Sequence, residues 1–283
     1  MREKHTLHTI LTAFSLCLIS VLFSLVPCFD AAATAEEFQQ QAEARKLSPV
    51  LSDSWEKWPK GPVNGSAGSV LMDIDTGAVL YAKAPEEKAY PASITKLMTA
   101  LLVYENCAMD EMVSFSHSAV YSIERGSSNV GIDEGQSMTV RDCLYCLMLA
   151  SANEVANALA EHVGGSVEGF ADMMNEKAAA LGCVNTHFVN PNGLHDDDHY
   201  TCAGDMGLIA RAFARHSELL EISGTTSYHV YPTDNQPDDF VVSNHHRMLK
   251  GSLYGQKYAY EYAVGGKTGF TVMSRETLVT FAE

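Results

Sequence analysis

The chain has 283 residues, 46% of them hydrophobic and 19% charged, which excludes a disordered or collagen-like polymer and leaves one large or two small globular domains. Lys plus Arg is 19 against 35 Asp plus Glu, a net charge of −16 with histidine neutral. So acidic a chain is a poor candidate for nucleic acid, whose backbone is gripped by clustered Lys and Arg.

Residues 10–29 (ILTAFSLCLISVLFSLVPCF) form one uncharged apolar block. Arg2 and Lys4 precede it, and Ala33-Thr34-Ala35 follows as a small-x-small cleavage site, so 1–35 reads as an export signal. A retained anchor is the alternative, since the run is about long enough to span a bilayer. Lipid attachment at Cys28 is disfavoured by Val26-Pro27 before it. Cleavage removes Arg2, Lys4, Glu3 and Asp30, so the mature chain stays at −16. Its cysteines are Cys107, Cys143, Cys146, Cys183 and Cys202, an odd and scattered set that makes no disulfide framework.

Residues 36–64 are polar with no clear period and read as a linker or N-terminal arm. The compact domain is expected over 65–283. SVLMDI and AVLYAK flank Asp75-Thr76-Gly77 and predict a β-hairpin. In PASITKLMTALLVYE, residues Ile94, Leu97, Met98, Leu101 and Leu102 recur at helical spacing, with Pro91 at or before the first turn. Thr139 and Asp142 give a capping-box-like start to an apolar helix ending near Ala150. Cys143 and Cys146 lie inside that helical pattern, so they are expected as buried structural thiols rather than a redox pair. Helices are predicted over 166–181, closed by Gly182, and over 203–213. Residues 224–262 read as irregular β structure or long loops, and YAVGGKTGFTV and TLVTFAE as strands. Strand signals at both ends with helices between predict an α+β domain, its antiparallel sheet built from the two termini around a mainly helical insert.

Common catalytic signatures are missing. No G-x-S-x-G elbow or H-E-x-x-H occurs, and Glu261 stands where a P-loop would need its leading glycine before Gly266-Lys267-Thr268. His195 and His199 flank Asp196-Asp197-Asp198, which reads as a solvated acidic loop rather than a metal site. His245-His246 reads as a surface or groove feature. What remains is Ser93-Ile94-Thr95-Lys96: three residues apart on a helix, amine and hydroxyl share a face. Lys can serve as base to a Ser nucleophile if burial and nearby cations keep it neutral. Ser54-Trp55-Glu56-Lys57 repeats the pattern in the polar arm, with no helix to present it. Ser151-Ala152-Asn153 follows the apolar helix directly, whereas Ser127-Ser128-Asn129 fits the same pattern in a polar loop. Lys267-Thr268-Gly269 lies on a β-like run.

The order S-x-x-K, S-x-N, K-T-G is the signature set of serine penicillin-recognising enzymes. From about Gly65 onward the chain resembles the D-alanyl-D-alanine carboxypeptidases, the low-molecular-mass penicillin-binding proteins of serine peptidase family S11. PASITKLMTALLVYE, GSSNVGI, TVRDCLYCLMLASANEVANALAEHVGGSVEGF, NPNGLHDDDHYT and GGKTGFT carry the likeness, with Ala152 a one-methyl departure from the usual Ser-Gly-Asn.

The resemblance implies a β-lactamase/transpeptidase-like fold and a role for each matching residue. Ser93 would attack the carbonyl between two terminal D-alanines and form an acyl-enzyme, and Lys96 would take its proton. Ser151 would relay a proton to the leaving D-alanine, and Asn153 would hold Lys96 and the substrate amide. Lys267 and Thr268 would bind the terminal carboxylate. Backbone N–H groups of Ser93 and Phe270, the latter next to Gly269, would form an oxyanion hole, whose loss costs about 10²–10³ in rate.

The expected activity is removal of the terminal D-alanine from peptidoglycan stem peptides, with acylation by β-lactam antibiotics. No cofactor or metal is expected, nor nucleic acid; peripheral contact with membrane or cell wall is. The place of work would be the outer face of the cytoplasmic membrane, the wall or the periplasm. Alternatives sharing the motifs are a β-lactamase, a DD-endopeptidase, or a non-catalytic wall-binding homologue. The family's sheet is closed by a last strand and a C-terminal helix, which are expected to be missing here, leaving the chain less stable than a longer form.

Overall fold

A computed structural model describes residues 35–253 and 256–283, so the signal-peptide reading falls outside the described residues apart from Ala35. Residues 39–283 make one compact unit. Helix α1 spans Ala35–Arg45, where the sequence suggested only an unpatterned arm. Its AEEFQQQAEAR is rich in strong helix formers, but too polar to show an apolar stripe. Residues 46–64 then run against the hairpin of β1 (Ser69–Met72) and β2 (Val79–Lys83). Buried Lys83 Nζ donates to the carbonyls of Lys46 and Asn64 at 2.8 and 2.9 Å, while Trp58 Nε1 donates to Leu80 O at 2.8 Å. The hairpin turn forms at the expected place, with Asp73 Oδ1 accepting from Thr76 N and Gly77 at φ +76°.

The helix expected from residue 91 is divided. Ala92–Thr95 is a 3₁₀ turn, and α2 follows over Lys96–Asn106. Every residue of α2 from 96 to 103 is buried, so this helix is the axis of the core rather than a surface element. Around it stand β3 (Met112–Ser114), α3 (His117–Tyr121), β4 (Ser137–Thr139) and α4 (Val140–Tyr145). Thr139 caps α4 as predicted, its hydroxyl accepting from Asp142 N at 3.1 Å. The apolar run then turns π-helical over Cys146–Ala150 and stops at Ser151, which is left-handed at φ 61°. Cys143 and Cys146 are free and buried in the core, and their burial pushes both thiols above the usual range.

Next come α5 (Asn153–Gly164), α6 (Val167–Ala180), α7 (Ala203–Ala214) and α8 (Ser217–Gly224). Gly182 at φ +89° sits just past α6, as its spacing suggested. Within 224–262 lies one short ladder, β5 (Ser227–Val230) with β6 (Phe240–Ser243). The chain ends in a long antiparallel pair, β7 (Ala263–Thr271) and β8 (Arg275–Ala282), in register from Gly265↔Phe281 to Thr271↔Arg275.

The class is α+β, with strands at both ends and helices between. The single sheet expected from the two termini is present among the described residues as separate two-stranded ladders, β1–β2 and β7–β8. Among the described residues β1 is hydrogen-bonded to β2 alone and β8 to β7 alone. None of the described helices is long and apolar enough to cross a membrane.

Candidate active site

Three elements converge on Lys96. The 3₁₀ turn carries Ser93 one turn before it, and Lys96 Nζ lies 3.2 Å from Ser93 Oγ. Asn153, the first residue of α5, presents Oδ1 at 2.7 Å from the same nitrogen, and the backbone carbonyl of Asn192 lies at 2.6 Å. Lys96 is 0% exposed. On the far side, β7 brings in Lys267, 2% exposed, whose Nζ donates to Ser151 Oγ at 3.1 Å and to Thr268 O at 2.9 Å.

Two features of the backbone make these approaches close. Ala92, before the nucleophile position, is left-handed at φ 51°, and Ser151 at φ 61°; neither is a glycine, and both conformations are strained. Strand β7 lies directly against the Ser93 turn. A β-carbon built on Gly269 would come within 2.8 Å of Ser93 N, so only glycine lets the strand this near. Thr277 on β8 clamps the same place, donating from Oγ1 to Pro91 O at 2.7 Å. Phe270 is 63% exposed beside this junction.

The electrostatics follow from burial. Desolvation, then the positive charge of Lys267, hold Lys96 well below the ordinary lysine range, with Glu154 pulling the other way. Desolvation brings Lys267 down to about 7. A neutral Lys96 amine has two N–H groups and one lone pair. The Asn153 and Asn192 oxygens are pure acceptors and take both hydrogens. The lone pair is then left for the Ser93 hydroxyl, which is the arrangement of a base and its nucleophile.

Of the residues the sequence pointed to, Ser93, Lys96 and Asn153 are joined by hydrogen bonds through the Lys96 amine, and Ser151 and Lys267 are joined to each other. Thr268, Gly269 and Phe270 continue the same strand past Ser93. Other supporting residues were not singled out. Asn192 reaches Lys96 with its main chain, and its side chain donates to Asn157 Oδ1 at 3.0 Å. The polar loop at Ser127-Ser128-Asn129 turns out to hold the second motif, for Asn153 N donates to Ser128 O at 2.9 Å. Glu154 is 1% exposed and anchors that loop, Oε1 accepting from Val130 N at 2.6 Å and Gly131 N at 3.0 Å. Within the acidic loop Asp196, Asp197 and Asp198 are exposed as expected, but His199 is buried. Its Nδ1 accepts from Val189 N at 3.1 Å, so Nε2 carries the proton and donates to Thr95 Oγ1 at 2.9 Å. Burial pushes that imidazole down to about 3. His246 likewise is buried beneath β8, with Nε2 against Thr280 Oγ1 at 3.0 Å.

Residues 59–283 match the family model of the D-alanyl-D-alanine carboxypeptidases, peptidase S11. The chain belongs to that family. Among relatives of the S11 peptidases it is 35% identical to D-alanyl-D-alanine carboxypeptidase DacF of Bacillus subtilis over 219 residues, 76% of this chain and 53% of DacF. It is 31% identical to DacB2 of Mycobacterium tuberculosis over 212 residues, 74% of this chain and 68% of that protein. The chain thus spans about half the length of DacF and two thirds of DacB2.

Solved S11-like structures agree. A D-alanyl-D-alanine carboxypeptidase from M. tuberculosis superposes with TM-score 0.68 at 29% identity, covering 83% of this chain and 82% of that one. A variant of the Streptomyces K15 DD-transpeptidase gives 0.71 at 28% identity, covering 79% and 87%. The penicillin-binding, DD-peptidase fold is therefore that of this chain.

Proposed function

We propose that this protein is a serine D-Ala-D-Ala carboxypeptidase that trims the terminal D-alanine from peptidoglycan stem peptides and is acylated by β-lactams. The observation that carries the reading is the Lys96 amine, 3.2 Å from Ser93 Oγ with its two hydrogens engaged by carbonyl oxygens. Lys96 takes the Ser93 proton as Oγ attacks the penultimate carbonyl. The Ser93 and Phe270 N–H groups receive the oxyanion. Ser151 Oγ, held by Lys267, passes the proton on to the departing D-alanine amine. Lys267 in its charged form and the Thr268 hydroxyl hold the terminal carboxylate. Water then attacks the ester, the proton returns through Lys96, and Ser93 is regenerated.

The domain reading belongs with this proposal: residues 1–35 act as an export signal, 36–64 as an arm, and 65–283 as the peptidase domain working outside the cytoplasmic membrane, with peripheral contact to membrane or wall. Incubation with a fluorescent penicillin and with a stem peptide ending in D-Ala-D-Ala tests the function. Covalent labelling and D-alanine release are expected, both abolished in Ser93→Ala. Labelling that survives Ser93→Ala, or rapid turnover of a chromogenic cephalosporin, would overturn it.

A further inference from the structure

The two helices that begin at the active site end together elsewhere. Helix α2 starts at Lys96 and is capped by Cys107; α5 starts at Asn153 and carries His162 in its last turn. At 1.5 Å per residue their far ends lie about 16–18 Å from the site. There Cys107 Sγ, an oxygen of Glu111 and a ring nitrogen of His162 all lie within 4.8 Å of one another. Glu111 and His162 are already 3.2 Å apart through Oε2 and Nε2.

We propose that Cys107, Glu111 and His162 form a binding site for a borderline-soft divalent cation of the Zn²⁺ class, distinct from the catalytic centre. Zn²⁺ takes thiolate, imidazole and carboxylate at about 2.0–2.3 Å, and tetrahedral bonds of that length set ligand atoms about 3.3–3.6 Å apart. The Glu111–His162 separation already matches one such edge, and modest side-chain rotation closes the others. A thiolate beside an imidazole selects against Mg²⁺ and Ca²⁺, which prefer oxygen alone. Supporting bonds orient the ligands. Glu111 Oε1 accepts from Ala108 N at 2.7 Å, which turns Oε2 toward His162. The main chain of Glu111 is fixed too, its carbonyl accepting from Val140 N at 2.9 Å.

The balance is simple. Zn²⁺ displaces the thiol proton of Cys107, which goes to solvent, and the Nε2 proton of His162 shifts to Nδ1. With the Glu111 carboxylate the cluster becomes neutral, and water fills the fourth position, which the exposure of Glu111 and His162 leaves open to solvent. The metal ties the distal ends of α2 and α5 and so acts on stability, not on the acyl-transfer step.

The test is to load the purified protein, kept reduced by a phosphine, with Zn²⁺ and, in parallel, Co²⁺. One equivalent of Zn²⁺ is expected to bind and to raise Tm by about 5–10 °C at a free concentration near a hundred times Kd. Co²⁺ should show a thiolate charge-transfer band. Cys107→Ser and His162→Gln should each weaken Zn²⁺ binding at least tenfold, and Cys107→Ser should abolish the band, with Cys183→Ser unchanged. Circular dichroism and melting without metal establish that each variant is folded, whatever its activity. Absence of bound Zn²⁺, a band lost in Cys183→Ser instead, or equal binding by a folded Cys107→Ser would overturn the proposal.

Discussion

Lys96 Nζ donates to Asn153 Oδ1 at 2.7 Å, and this bond joins the first residue of α2 to the first residue of α5. Both helices present the positive end of their dipole at that point. A positive dipole end disfavours a cation, in the same direction as the desolvation and the Lys267 charge that hold Lys96 well below the ordinary lysine range. The same bond fixes the direction of the remaining lone pair toward Ser93.

Replacing Asn153 by Asp should therefore damage the base more than the fold. A carboxylate at 2.7 Å from Lys96 stabilises the ammonium, raises its pKa and leaves it protonated at neutral pH. Acylation by penicillin should fall about 10²–10⁴-fold at pH 7, and the rising limb of the pH profile should move to higher pH. An unchanged limb in Asn153→Asp would show that Lys96 is not the base.

Lys267 predicts the opposite limb. Its folded pKa is lowered to about 7, so its charge is present below that pH and is lost as pH rises through it. For a substrate ending in a free carboxylate, kcat/KM should decline with an apparent pKa near 7 in the free enzyme. A methyl-ester analogue has no carboxylate to lose and should lack the decline. Identical alkaline limbs for the two substrates would remove Lys267 from carboxylate binding.

Most of the candidate site was legible because it is made of side chains in short motifs on strongly patterned elements. Ser93 and Lys96 share a helical face, Ser151 and Asn153 follow an apolar run, and Lys267 sits on a β-like stretch. What escaped was main-chain geometry and long-range support. The apolar pattern around Cys146 is the same for an α- or a π-turn, so the π-helical Cys146–Ala150 and the left-handed Ser151 leave no trace in periodicity. Asn192 touches Lys96 through its carbonyl, which any residue type would supply. Ser128 does the same for Asn153, and the loop looked like a chance match. Helix α1 was missed because it is polar and α8 because it is only eight residues long, so neither carries an apolar stripe long enough to count. The β1–β2 hairpin was legible from its turn, but that it and β7–β8 form separate ladders was not, because strand signals do not say how distant strands pair.

Gly193 is where a single methyl group should matter most. It stands at φ +84°, and a β-carbon there would strike the Ala92 carbonyl and lie 3.0 Å from Ser93 N. Gly193→Ala is expected to cost about 1–3 kcal/mol from the left-handed backbone alone, with a further loss from the collision. Because the atoms struck belong to the nucleophile's own turn, penicillin acylation should fall along with Tm. Gly165→Ala is the control: φ is +75°, but no atom lies within 4 Å of the added carbon. It should lower Tm by only a few degrees and leave acylation intact. Equal acylation in Gly193→Ala and wild type would mean that the Ser93 turn can shift freely.

Glu154 separates support from charge. Its Oε1 accepts from Val130 N and Gly131 N, and burial raises its pKa against those bonds, while Oε2 has no partner. Glu154→Ala leaves two part-buried N–H groups without their acceptor and should cost about 1–3 kcal/mol. It also loosens the loop that hands Ser128 O to Asn153 N, so acylation should drop. Glu154→Gln keeps the acceptor oxygen and so should preserve most of the fold. It removes the one nearby charge that raises the Lys96 pKa, so the acidic limb should move to lower pH, the reverse of Asn153→Asp. Melting curves and acylation pH profiles of the three variants check this together. If Glu154→Gln and Asn153→Asp shifted the limb in the same direction, Lys96 would not be the group that titrates.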